Sequence, residues 1–257
     1  MASHDQYARP PIAEALIAIR CQPIEKPIIA KDSNPLPELF TQRGDIRMVE
    51  AQLEQGPGGS TSRVAETPIG ISYHSENKRF VAQVLTDGLI VSWINAAGQS
   101  DWPGWDGLRD QAQAAWENYV AQHGPVELAH VGVRYINELK VPVSDQGVSL
   151  DMFLRTLPDL SRDLPYQQIA GYTMHLQLPQ PDLEAVAVLN QALLPSAETG
   201  VINIGLDIDV RRNVNSTDVS DVKTLWGLIE QLHEREHQVF KASITQRTRE
   251  SFGGIQS

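Results

Sequence analysis

Near the end of the chain, His233-Glu234-Arg235-Glu236-His237 satisfies the pattern H-E-x-x-H. On a helix that spacing places two imidazoles one turn apart, where they bind zinc while the glutamate activates a water. Taken alone, it describes a zinc-dependent hydrolase with His233 and His237 as metal ligands. Three features argue the other way. Arg235 and Glu236 are charged, whereas the same positions in metalloprotease helices are uncharged because they lie against the core. Only twenty residues follow His237 (257 − 237), and Glu250 is the sole acid among them. Centred on Ile229, an apolar stripe takes in Val222, Leu225, Trp226, His233 and Phe240 at helical spacing, so His233 reads first as a core-flanking histidine. Glu236 falls near that stripe. Either the helix leaves its support beyond Leu232 or Glu236 is paired with a cation.

A second group lies on strands. From Val201 to Arg212 the even positions Ile202, Ile204, Leu206, Ile208 and Val210 are apolar, while Asn203, Gly205, Asp207, Asp209 and Arg211 are polar or glycine. Such alternation is that of a half-buried strand. It sets Asp207 and Asp209 on one face, ~6.5–7 Å apart. Two carboxylates so placed form ion pairs with arginines of neighbouring strands, or bind a divalent cation, or work as an acid–base pair. Arg20 and Arg134 are the candidate partners, both on the polar sides of their strands. Asn137 joins them as a candidate for a ligand or partner site. Cys21 falls on the apolar side of its strand and reads as core. No phosphate-binding glycine loop and no nucleophile with a local base is found.

The elements that carry these residues follow from periodicity. Val126–Pro142 alternates with Val131, Val133 and Tyr135 on one face and His130, Gly132, Arg134 and Glu138 on the other. It echoes an earlier strand, Ile12–Cys21: Ile17-Ala-Ile-Arg20 resembles Val131-Gly-Val-Arg134. Residues 35–55 read as helix, and 55–62 (Gln-Gly-Pro-Gly-Gly-Ser-Thr-Ser) as a flexible loop. Residues 69–95 form a meander turned at Ser75–Lys78 and Thr86-Asp87-Gly88. Trp105, Leu108, Ala112, Ala115, Trp116 and Tyr119 stripe a helix over 103–122, capped by Asp101 or a neighbour with Pro103 in its first turn. The second half repeats the order, with a short helix near 149–156, strands at 167–178, 183–193 and 200–212, and a helix over 219–245. The expected fold is α+β: about eight antiparallel strands from two similar halves, with two long helices packed on one face. One domain, 1–257, comprises pseudo-repeats of about 7–125 and 126–257.

Composition bounds the partners. The 257 residues carry 32 acids against 21 Lys and Arg, a net charge of −11, which disfavours general nucleic-acid binding. A lone cysteine excludes an internal disulfide, and neither a secretory signal nor an apolar run of membrane-spanning length is present. A soluble cytoplasmic protein is expected, with no cofactor and no membrane association.

Four stretches, Tyr7-x-x-Pro10-Pro11-Ile12-x-Glu14-Ala15, Arg134-Tyr-Ile-Asn137, Leu206-Asp-Ile-Asp209 and Phe240-x-Ala-Ser-Ile-Thr245-x-x-Thr248-Arg249-x-x-Phe252-Gly253, resemble a sporadically distributed bacterial family of about this length and of unknown function. The resemblance implies an accessory gene of a defence or toxin–antitoxin-like locus and assigns no catalytic residue. Three functions follow as expectations. The first is a non-enzymatic interaction protein that binds a protein partner, with a homo-oligomer open. The second is a small-ligand or nucleotide-binding module using the polar sheet face. The third is the zinc hydrolase.

Overall fold

The computed structural model describes residues 6–24, 36, 38–56, 59–95, 101–143, 147–165, 169–214, 221–253 and 255–256, with backbone alone at 6, 48–56, 59–65 and 255–256. In chain order the elements are β1 (Gln6–Tyr7), β2 (Ile12–Cys21), β3 (Phe40–Gly56), β4 (Gly59–Ser75), β5 (Phe80–Leu85), β6 (Gly88–Ile94), α1 (Gly104–His123) and β7 (Leu128–Pro142). There follow β8 (Thr173–Gln180), β9 (Ala185–Leu194), β10 (Val201–Asn213), α2 (Val222–Ser243), α3 (Gln246–Ser251) and β11 (Ile255–Gln256). Nine strands form one sheet in the order β3-β4-β5-β6-β2-β7-β10-β9-β8, every pair antiparallel. The expected short helix near 149–156 is one 3-10 turn, Leu150–Met152. Residues 167–168 and 219–220, expected to begin a strand and a helix, lie outside the described residues.

Pairing starts at the centre, where β2 lies against β7. Ile17 faces Val133, Ala18 faces Gly132 and Ile19 faces Val131. The two echoing stretches therefore run antiparallel beside each other about a point at Ala18 and Gly132. Outward from there both halves pair in one order, β6-β5-β4 beyond β2 and β10-β9-β8 beyond β7. The ninth strand is β3, and it overturns the helix expected over 35–55. Its residues Phe40–Gly56 run beside β4 for the whole length of a hairpin whose tip, Pro57-Gly58, lies outside the described residues. Register shifts between Phe40 and Gln42 and between Ile46 and Arg47 break the two-residue alternation, so the strand leaves no clean signature. The Glu, Gln, Arg and Met content favours helix only weakly, and pairing overrides it.

Both long helices cover the same face. Ala15 lies opposite Tyr135, so the buried side of β2 (Ala15, Ile17, Ile19, Cys21) and that of β7 (Val131, Val133, Tyr135) coincide. From α1, the Tyr119 hydroxyl lies 3.6 Å from Cys21 Sγ, and from α2, His233 Nδ1 lies 3.3 Å from the Tyr135 hydroxyl. Burial pushes the Cys21 thiol up from its usual range, as suits a core residue. Ala13, expected on the apolar side, is the extra residue of a bulge between Ile12 and Glu14, so Ile12 takes the buried place. The start of α1 carries no side-chain cap. Pro103 precedes it, and Asp101 instead pairs with Arg79 at 3.1 Å. By contrast α2 is capped by Asp221, whose Oδ1 accepts from the Thr224 N–H at 2.8 Å. Among the described residues no helix is long and apolar enough to cross a membrane.

Residues 6–9 meet residues 252, 255 and 256. The Arg9 N–H donates to the Phe252 carbonyl at 2.8 Å, the Tyr7 and Phe252 rings lie edge to face at 5.3 Å, and β1 pairs with β11. Thr245 caps α3, and Thr248 Oγ1 donates to the Phe153 carbonyl at 2.6 Å.

At the β5–β6 hairpin, Gly88 has φ of +138°, and a Cβ there would lie 2.2 Å from the Ile19 carbonyl oxygen. Gly88→Ala is expected to cost about 1–3 kcal/mol from backbone strain and contact. Gly171→Ala, where nothing lies within 4 Å, should be near neutral; denaturant melts of both compare them.

Candidate functional site

The alternation of β10 holds in full. Ile204, Leu206, Ile208 and Val210 are buried beneath the helices, and Asp207 and Asp209 emerge on the opposite, polar face. Asp209 lies directly across from Arg134, and Asp207 across from Ile136. Arg134 nevertheless reaches diagonally to Asp207, its Nε donating to Oδ1 at 2.7 Å and its Nη2 to Oδ2 at 2.8 Å. That bidentate fork holds the guanidinium above its ordinary range despite partial burial.

The pair continues into a row that crosses three more side chains. Asn190 Nδ2 donates to Asp207 Oδ2 at 3.0 Å, and Asn190 Oδ1 lies 2.6 Å from His175 Nδ1. Gln177 Nε2 lies 3.2 Å from His175 Nε2. With the Asn190 amide oriented to donate to the carboxylate, its oxygen must accept, so His175 carries its proton on Nδ1 and accepts on Nε2. The register sets this row, because Asp207 pairs with Asn190 and Asn190 with His175 on successive strands. Exposure rises toward the edge: Asp207 is half-buried, while His175 and Gln177 on β8 are exposed. Asp209 stands beside the row. Arg211 approaches it only to 3.6 Å, and burial pushes its carboxyl up despite Arg211 and Arg134.

Two of the expected members lie elsewhere. Arg20 is on the polar face but pairs with Asp87 in the β5–β6 turn, away from both β10 aspartates. Between Arg20 and Arg211, burial and the two cations lower the pKa of His130. Asn137 shares the phase of Tyr135, not of Arg134. It is 3% exposed beneath the helices, where its Nδ2 donates to the Leu206 carbonyl at 3.3 Å. A closed pocket of Arg134, Asn137, Asp207 and Asp209 is therefore not formed. The contributions of Asn190, His175 and Gln177 were missed, because they require the β8–β9 register; the signal available was the alternation of Thr173, His175 and Gln177 with Met174, Leu176 and Leu178.

The histidine pair of α2 sits in a different environment. His233 is 6% exposed, and its ring stacks on Trp105 of α1 at 3.9 Å and 7°. Trp105 Nε1 in turn donates to Glu230 Oε2 at 2.8 Å, and Arg109 Nη1 to Glu230 Oε1 at 3.0 Å. The His233 and His237 rings lie 6.5 Å apart, and among the described residues no three His, Cys, Asp or Glu side chains group as metal ligands. Glu236 meets neither sequence expectation. The helix stays on its support, since Phe240 one turn later is buried, and no ion pair to Glu236 is formed among the described residues.

Arg134→Ala and Asp207→Asn, combined in a double-mutant cycle by denaturant melts, should show coupling of about 1 kcal/mol. The bidentate geometry favours the upper end of the range for exposed pairs, and the 40% exposure of Arg134 keeps it from the cost of a buried one. Strict additivity would mean that the fork does not form in solution. For α2, the packing role of His233 predicts that a chelator leaves the melting temperature unchanged. One zinc per chain by elemental analysis, lost in His237→Ala, would overturn that role.

Comparison with family models, with curated proteins and with solved structures found no match. The reading of this face therefore rests on its own geometry.

Proposed function

We propose that the chain is a non-catalytic protein-binding module, and that the polar face over β7, β10, β9 and β8 is its contact surface. The observation that carries this reading is the hydrogen-bonded row Arg134–Asp207–Asn190–His175–Gln177, which crosses four strands on the side away from both long helices. Side chains already held in one arrangement lose little further freedom when a partner docks, which favours association. The row alternates donors and acceptors and ends in exposed groups at the sheet edge, a pattern suited to a polar protein surface. Catalysis finds less support. The nucleophile and base candidates Cys21, Tyr135 and His233 are buried on the opposite face. Clefts open elsewhere, one along α2 at Glu230, Glu234 and Arg235, and one at the β4–β5 turn beside Leu39 and Asn77. The resemblance to a sporadic bacterial family supports an accessory role at a defence or toxin–antitoxin-like locus.

The test is affinity capture from source-cell lysate followed by mass spectrometry and measured binding of the captured protein. His175→Ala, Gln177→Ala and Arg134→Ala should each weaken that binding, and the triple variant should lower it at least about tenfold, the scale of one hot-spot contact. Lys223→Glu, exposed at the start of α2, should leave it intact. Binding lost with Lys223→Glu and kept in the triple variant would place the interface on the helical side and overturn the proposal. A second copy of this chain as the partner would appear as a dimer by size-exclusion chromatography.

A further inference from the structure

Glu236 lies on the sheet-facing side of α2 in line with Leu232, His233 and Phe240, and is 3% exposed. Its Oε1 has no hydrogen-bond partner among the described residues. The elements packed against this helix offer it little. The helix-facing residues of β10 are Ile204, Leu206, Ile208 and Val210, none of which titrates. Those of β7 are Val133, Tyr135, Asn137, Leu139 and Val141. Among them only Tyr135 titrates, and it is buried with its hydroxyl at His233. From α1, Trp105 meets the helix at His233, and Arg109 is engaged by Glu230, Asp106 and Asp110. On α2 itself the nearest titratable neighbours in the stripe are His233 and His237. An ionised carboxylate without a paired cation is strongly disfavoured in such a setting, and the group responds by keeping its proton. Burial accordingly raises the Glu236 carboxyl well above the ordinary range, and a charge on Glu236 would bear on the buried Tyr135 hydroxyl as well.

We propose that Glu236 is carried in the folded protein as a neutral acid and works as a pH-sensitive latch, whose ionisation releases the C-terminal half of α2 from the sheet. What it would release is specific. Phe240 packs on Phe252 at 6.3 Å, Ile244 bridges to Leu154, and the Thr245 N–H donates to the Phe153 carbonyl at 3.0 Å. Through Phe252 the same end of the helix holds Tyr7 and Arg9. Both chain ends are therefore seated on the part of α2 that the latch keeps down.

The direction with pH is set by linkage. In the unfolded chain the carboxyl ionises near its ordinary value of 4.5, and in the folded chain only at higher pH. Between the two, raising the pH removes a proton from the unfolded state alone. The stabilisation is complete below the unfolded value and is lost as pH rises toward the folded one, by up to tenfold in the unfolding constant per pH unit. His130, whose pKa is lowered from 6.5, acts with opposite sign below that value, Asp209, raised from 3.8, acts with the same sign as Glu236, and the Cys21 thiol, raised from 9.0, acts only at higher pH; all three are common to the wild type and the Glu236 variants.

The experiment is a series of urea melts of the full chain between about pH 5.5 and 8.5, for the wild type, Glu236→Gln and Glu236→Leu, with hydrogen exchange on residues 238–252. Relative to either variant, the wild-type unfolding constant should climb with pH by a factor approaching ten per unit, the slope of one proton. Exchange in the α2 end and the tail, corrected for intrinsic rates, should quicken with pH in the wild type and stay flat in a variant. Parallel pH profiles for the wild type and whichever variant folds would overturn the latch. So would wild-type exchange in 238–252 that is indifferent to pH after correction.

Discussion

The structure depends on the phase of β7. This strand is paired by β10 from His130 to Pro142 and by β2 from Leu128 to Asn137, so the residues of its middle have a fixed side from both neighbours. A slip of one residue would send Val131, Val133 and Tyr135 into water and Arg134 into the core. Because β2 meets β7 antiparallel about Ala18 and Gly132, the phase of one strand dictates that of the other and, through them, of each half-sheet. Gly132 has a local reason as well. A Cβ there would come within 3.3 Å of Arg211 Cβ and 3.5 Å of Asp209 Oδ1, so its missing side chain leaves these groups room across the strand.

From that phase the helical layer follows. Tyr135 points up to His233, His233 stacks on Trp105, Trp105 donates to Glu230, and Glu230 also holds Arg109. These contacts run from the central strand through α2 to α1 and tie the two halves together above the sheet. A stacked aromatic pair adds about 0.5–1.5 kcal/mol beyond the area it buries. The charged partners of Trp105 lie at the half-exposed rim of the helix pair, where hydration still serves them, and the ring stack fills the dry interior. The same odd–even division leaves the polar row on the other side, where water satisfies what the row does not.

Much of this was legible in the residues. The stretches at Ile12, Asn137 and Leu206, far apart in sequence, become neighbours on β2, β7 and β10, and the Glu138 N–H donates to the Pro11 carbonyl at 2.8 Å. Alternation alone predicted the strands β2, β7 and β10 and an ion pair of Arg134 with Asp207 or Asp209, of which the structure forms the first. Where alternation is interrupted, the reading failed: the bulged hairpin strand β3 looked helical. Asn137 was placed by its polarity, although its phase with Tyr135 already put it beneath the helices. The partner of Arg20 sits in a turn of another hairpin, and parity says nothing about turns. His175 and Asn190 needed the register of β8 on β9, a tertiary fact that no single strand contains.

The helix motif teaches the complementary lesson. On a helix turning about 100° per residue, Glu236, His233 and His237 spread over an arc of about 100°, and spacing cannot say whether that arc opens on solvent or on the core. A metal site needs that arc to open on solvent and on a third ligand. Here the arc meets an apolar wall built by β10, a tyrosine from β7 and a tryptophan face from α1. The wall converts the histidine into a packing residue and the glutamate into a buried acid. The same five letters thus describe opposite chemistry according to the phase of the strands they face, and that phase is set at Val131, Val133 and Tyr135.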